Sequence, residues 1–309
     1  MRSTGYFGDL DVDGNYFRPY IDKLLTECYS IIGDYENMLS KTKEGSDVYL
    51  INHAAGEPVE VHDETIEILD YAIELSEASG GAFDVTIGKV MDLWDFRSED
   101  HTGTLPDAAT IEEAITHVDY KNIQIEGNTV TMLDPEAEID LGALAKGYIA
   151  DRAMDYLYSK GVRSAIINLG GNIVALGEKY TTLIDDYDTE YENFVIGINN
   201  PLSKSNRDAL LTTVEDTDIT VVTSGTYERY IEVDGEKYHH VIDPKTGYPV
   251  DNDVMQVTVV AGSGNSMRCD GLSTMSLLLG PDRATDILKR QGVDRAIFLR
   301  EDGSRYEVN

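Results

Sequence analysis

The sequence has no apolar run approaching the ~18 residues a membrane-spanning helix requires, so no such helix is expected. Positive charge is scarce: 25 Lys and Arg stand against 57 Asp and Glu, giving a net charge of −32. Nucleic acids and anionic lipids are normally held by Lys and Arg on their phosphates, so neither is expected as a partner. A phosphate-bearing ligand would need local help from a helix N-terminus, a glycine turn or a divalent cation. The only cysteines, Cys28 and Cys269, form no CxxC pair and no zinc spacing. Cys28 falls on the apolar face of an expected helix and reads as a core thiol. There is no GxGxxG after a first strand and no GxxxxGK[ST], so the two commonest nucleotide folds lack support. No charged, apolar leader is recognisable.

What is present is an ordinary globular composition. The 309 residues are 41% hydrophobic and 27% charged, enough for one large domain or two intertwined lobes. Apolar residues at helical spacing predict helices over 17–37, 64–79 and 144–159. The second stops at Gly80-Gly81, a C-cap signal. A shorter helix is expected over 111–117, and two more over 265–279 and 282–290. The stretch IQIEGNTVTML (123–133) alternates around a turn and reads as a hairpin. SAIINLGGNIVAL reads as strand, glycine pair, strand. NFVIGINN, ITVVTSG, YIEVDGEKYHHVI, VMQVTVVAG and AIFLR also read as strands. The acidic segment 180–192 reads as a solvated loop. Mixed element order with several hairpins predicts an α+β fold of mixed sheets and packed helices, a two-lobed single unit spanning 1–309.

Five short stretches carry residue types suited to chemistry, each with a plain structural alternative. Asp270 and Thr274 lie four apart, on one helix face. They offer hard oxygens to Mg²⁺, or Asp270 is merely an N-terminal cap. In IDLGALAKGYIADRA, Gly142 and Gly147 flank a turn between Asp140 and a helix, with Lys146 at its start. Such a turn presents N–H groups to an anion, or it only connects a strand to a helix. Gly170-Gly171 is a tight hairpin turn or a place where backbone approaches a ligand. Phe83 and Asp84 could stack on and hydrogen-bond to a flat heterocycle, or be a core ring and a solvated acid. In EKYHHVIDPKTGYPV, His240 titrates near neutrality and could take a proton from a hydroxyl, with Asp243 orienting it or serving a metal. The alternative is a pair of surface histidines near a turn.

Taken together, GAFDVTIG, IDLGALAKGY, NLGGN, TSGTYERY…YHHVIDPKTGYP and CDGLST occur in an order and spacing that resemble the flavin transferase (ApbE) family. The resemblance runs from about residue 40 to 280. It implies an enzyme that takes FAD as donor, moves FMN onto a Ser or Thr hydroxyl in the flavinylation motif of a partner flavoprotein, and releases AMP with Mg²⁺ required. On that resemblance Asp270 and Thr274 match the metal's side-chain ligands, and Ala143 the position that reaches it through its carbonyl. Ala82, Phe83, Asp84, Asp140, Lys146 and Ile242 match FAD contacts, and His240 matches the base that activates the acceptor. His239 is a bystander. Three positions depart from the family pattern: MRSTGYFGDLDV is a faint match to its N-terminal flavin contact, Thr42 stands where an aromatic is common, and Ser273 where some members carry a second acid. The resemblance also implies an extracytoplasmic, often lipid-anchored setting. Two competing functions use the same residues: a Mg²⁺-dependent FAD pyrophosphatase giving FMN and AMP, and a non-enzymatic FAD-binding protein.

Overall fold

The structure is a computed structural model and describes residues 17–96, 104–182, 189–203 and 209–309. The first part of the chain is mainly helical: α1 (Phe17–Leu39), α2 (Asp47–Asn52), α3 (Asp63–Ser79), α4 (Gly88–Trp94) and α5 (Ala108–Ala114). A short strand, β1 (Val59–Glu60), joins β2 (Ile123–Glu126) and β3 (Thr129–Met132) in a small sheet. Helix α6 (Ala145–Ser159) then leads into β4 (Ala165–Leu169) and β5 (Asn172–Leu176). Three hairpins follow in whole or part: β6 (Lys179–Thr182) with β7 (Thr189–Glu192), β8 (Phe194–Asn199) with β9 (Leu210–Asp216), and, after β10 (Ile219–Gly225), β11 (Tyr230–Val233) with β12 (Glu236–His239). The chain closes with β13 (Val254–Gly262), α7 (Ser266–Arg290), β14 (Arg295–Arg300) and β15 (Arg305–Val308).

The expected α+β architecture is what forms. Its centre is a six-stranded sheet in the order β15-β14-β13-β10-β5-β4, with every neighbouring pair antiparallel. Both faces are buried. Val174, Val222, Val257, Val259 and Phe298 point into the large core under α1, α3, α6 and α7. Their alternate neighbours Ala175, Val221, Val260, Ile297 and Leu299 pack against the β8–β9 hairpin. Because successive side chains of a strand face opposite ways, two covered faces demand unbroken apolar runs. That is why AIFL and VTVV lack polar alternation. A third cluster gathers Val90, Trp94, Ile111, Ala114, Ile231 and Ile242 from α4, α5, the β11–β12 hairpin and the turn after it.

Local signals hold where the sequence states them strongly. Helix α3 ends at Gly80 in the left-handed conformation (φ 64, ψ 38). The β4–β5 connection places Gly170 and Gly171 at φ 62 and 98, the positive pair a two-residue hairpin turn requires. The two helices expected over 265–279 and 282–290 both form as the two segments of α7, separated by a break at Gly280 (φ 70, ψ 169), with Pro281, which lacks a backbone donor, opening the second. One expectation is corrected: the acidic segment 180–192 is not wholly loop, because residues 179–182 and 189–192 pair as a hairpin.

Candidate active site

A cavity of about 700 Å³ separates the third cluster from the main body. Phe83, Asp84, Asp140, Ala143, Lys146, His240, Ile242 and Thr274 all line it. Residues 83 to 274 in sequence therefore meet around one space. Ala82 is buried in the large core beside Phe83 and does not line the cavity.

Asp270 sits one turn inside α7 and is 1% exposed. The capping alternative fails, because another residue caps this helix. Asp151 of α6 accepts hydrogen bonds from Ser266 N and Met267 N, both 3.0 Å. Asp270 instead turns toward the cavity wall: Gly147 N donates to its Oδ2 (3.0 Å), and Lys146 Nζ lies 3.3 Å from its Oδ1. Burial raises the carboxyl's pKa, opposed first by the Lys146 charge. Ser273 Oγ donates to the Asp270 carbonyl (2.9 Å) and pairs with Ser224 Oγ (2.7 Å). The buried Asn172 side chain lies beside Asp270, and its amide favours the charged form of the carboxyl.

These residues fit a hard divalent cation better as a partial set than as a cage. Among the described residues no group of three or more His, Cys, Asp or Glu side chains could hold a metal. One carboxylate, the Thr274 hydroxyl and main-chain carbonyls of the Ala143 turn are the sparse oxygen set that Mg²⁺ completes with water and substrate phosphate.

His240 is half-buried, and burial pushes its pKa down to about 4. Both its main-chain N and its Nδ1 lie 3.1 Å from the Arg229 carbonyl. A carbonyl only accepts, so Nδ1 carries the proton and Nε2 keeps its lone pair. This orientation comes from Arg229 and not from Asp243. The Asp243 carboxylate accepts from Lys245 N (2.9 Å), and its carbonyl from Gly247 N (2.8 Å), which closes the turn. His239 lies off the cavity, its Nδ1 accepting from Val241 N. Trp94 Nε1 donates to the Gly247 carbonyl (2.8 Å), tying the turn to α4.

The Asp84 carboxylate is already engaged: Thr86 N and Oγ1 donate to Oδ1, and Tyr120 N to Oδ2. Its side chain braces the cavity wall, with burial raising its pKa. Thr42 is exposed beside Ser40 and outside the cavity lining. MRSTGYFGDLDV lies outside the described residues.

Several residues in or behind the wall were not singled out by the sequence, Lys41 behind it among them. Lys41 Nζ lies 2.8 Å from Asp92, 3.8 Å from Glu138 and 4.0 Å from Asp140, and donates to the Gly88 carbonyl (2.8 Å). Phe96 stacks on Trp94 and meets the His240 ring edge-on at 6.4 Å. Glu228 and Arg229 also line the cavity.

The ApbE family model matches residues 9–298. The chain belongs to the ApbE family. A Klebsiella pneumoniae protein named FAD:protein FMN transferase is 36% identical over 281 residues, covering 90% of this chain and 82% of its own. A Treponema pallidum protein of the same name is 34% identical, covering 90% of this chain and 77% of its own. Among solved structures, the ApbE protein of Thermotoga maritima superposes with a TM-score of 0.83 at 27% identity, covering 100% of this chain and 97% of that one. The flavin transferase ApbE of Vibrio cholerae gives 0.80 at 28%, covering 98% and 92%.

Proposed function

We propose that this chain is a Mg²⁺-dependent FAD:protein FMN transferase, which attaches FMN through a phosphoester to a Ser or Thr of a partner flavoprotein and releases AMP. The observation that carries the reading is the convergence of His240, Lys146 and Thr274 on one cavity, with the buried Asp270 paired to Lys146 just behind its wall, in a member of the ApbE family. Bound Mg²⁺ would neutralise the diphosphate in a protein of net charge −32. Asp270, Thr274 and the Ala143 carbonyl would hold it. Phe83 and Ile242 give apolar walls for the substrate, and Lys146 a cation for a phosphate oxygen. His240 Nε2 is unprotonated and would accept the acceptor's hydroxyl proton. The hydroxyl oxygen bonds to the FMN phosphorus, and the bridging oxygen leaves with AMP. Most of the rate would come from holding these groups in line.

The test is to incubate the protein with FAD and an acceptor bearing a Ser/Thr flavinylation motif, with and without Mg²⁺. The expected result is an acceptor mass gain of one FMN, dependent on Mg²⁺ and lost in Asp270→Ala and His240→Ala. FMN and AMP without labelling would make water the acceptor. FAD bound but intact under every condition would make the protein a carrier.

A further inference from the structure

Two lysines approach the cavity's carboxylates, and they are held very differently. Lys41 is locked: its side chain is 5% exposed and lies 2.8 Å from both Asp92 and the Gly88 carbonyl. Lys146 is slack. Its side chain is 42% exposed, while that of Asp270 is 1% exposed. Its ammonium lies 3.3 and 3.5 Å from the two Asp270 oxygens and 3.4 Å from the Gly142 carbonyl. Charge-assisted contacts settle at ~2.7–2.9 Å when unconstrained, so all three are long. The ammonium thus sits among a buried carboxylate and a carbonyl of the Gly142–Ala143 turn, the oxygen types a hard cation wants. A carboxylate this buried needs a positive neighbour. Among the described residues Lys146 is the one cation paired with it.

We infer that Lys146 is the resident counter-ion of Asp270 in the metal-free protein, and that a divalent cation displaces it. This rests on the metal reading given above. A lysine ammonium and a dication a few ångströms apart repel strongly even at a screened interior dielectric. The carboxylate therefore holds one or the other at close range. The exposed stem lets Lys146 swing away without unpacking α6. The freed ammonium is then available to an anionic diphosphate. Metal and FAD consequently bind cooperatively, each tightening the other by the same factor. Lys146 acts as a positioning residue whose departure couples the two ligands.

The test is Mn²⁺ binding to FAD-free protein, by calorimetry and by the free-ion paramagnetic signal. Wild type, Lys146→Met and Asp270→Asn are compared, and the wild type is also measured with FAD. Lys146→Met is expected to bind Mn²⁺ about tenfold or more tightly than wild type, because a competing charge is gone. It should also lose most of the FAD-induced tightening. Asp270→Asn should bind no Mn²⁺. Equal affinity in Lys146→Met and wild type, with Asp270→Asn still defective, would overturn the exchange and leave the metal site intact. No Mn²⁺ binding by wild type even with FAD would defeat the metal reading itself, and the exchange with it. A second readout needs no variant: acylation of Lys146 in the wild type, followed by mass spectrometry. It should speed up on adding Mn²⁺ alone and slow again with FAD, and a rate unmoved by Mn²⁺ would equally overturn the exchange.

Discussion

His240 shows how much one carbonyl can decide. The Arg229 oxygen fixes the tautomer, and burial fixes the charge. The folded pKa, about 4, lies below the ordinary 6.5, so between those values the unfolded chain binds the proton that the folded chain refuses. The resulting stability is complete above pH 6.5 and is lost as pH falls through about 4. Melting temperature should therefore fall more steeply over that window in wild type than in His240→Asn, and parallel curves would show that the ring is not the titrating group. The same value predicts an acid limb of kcat/KM well below that of an ordinary histidine, measured by initial rates from pH 4 to 8. His240→Asn should cost roughly 10²–10⁴ in FMN transfer with FAD affinity nearly unchanged, because a base acts on the proton and not on the flavin.

At the scale of elements, the turn 243–247 is held by what it packs against. Gly247 has φ 72, and a Cβ there would come within 2.4 Å of Ile111 and 2.8 Å of Ile115. Gly247→Ala should cost ~1–3 kcal/mol in backbone strain alone, before the clash is counted, as read by urea denaturation. Trp94→Phe removes only the indole hydrogen bond and a little volume, so its expected cost is smaller, ~1 kcal/mol from the bond. If Gly247→Ala proves the milder change, the turn yields more easily than its packing implies. The sequence made this turn visible but not its partner. Long amphipathic helices such as α3 and α6 could be read because their apolar period repeats over several turns. Helix α4 is 7 residues long, and it is stabilised by contacts with 111, 231 and 242 that no local pattern announces. Strands β9 and β15 were missed for a similar reason: LLTTVED and RYEV carry few apolar residues and take their form from hydrogen-bonded neighbours. Of the candidate site, the motifs pointed to Asp270, Lys146 and His240, which the fold brings to or just behind one cavity. Lys41 was not, since its meaning depends on carboxylates at 92, 138 and 140.

For the molecule as a whole, the main force acting outside the core is self-repulsion. A net charge of −32 works against compactness, and dissolved ions screen it. Adding NaCl from low to a few tenths molar at pH 7 should raise the melting temperature in the absence of any ligand. A flat response would mean that pairs such as Arg295–Glu307 and the Lys41 cluster already offset the excess where it matters. The lone tryptophan of the chain, Trp94, is 0% exposed at the base of the cavity's smaller wall, and the large core has none. Its emission therefore reports on that wall alone. A flavin absorbs where a buried indole emits, so occupancy of the cavity should quench the signal by energy transfer. Comparing indole emission with far-ultraviolet dichroism during denaturation would show whether the wall carrying His240 loosens before the sheet does, without any added label.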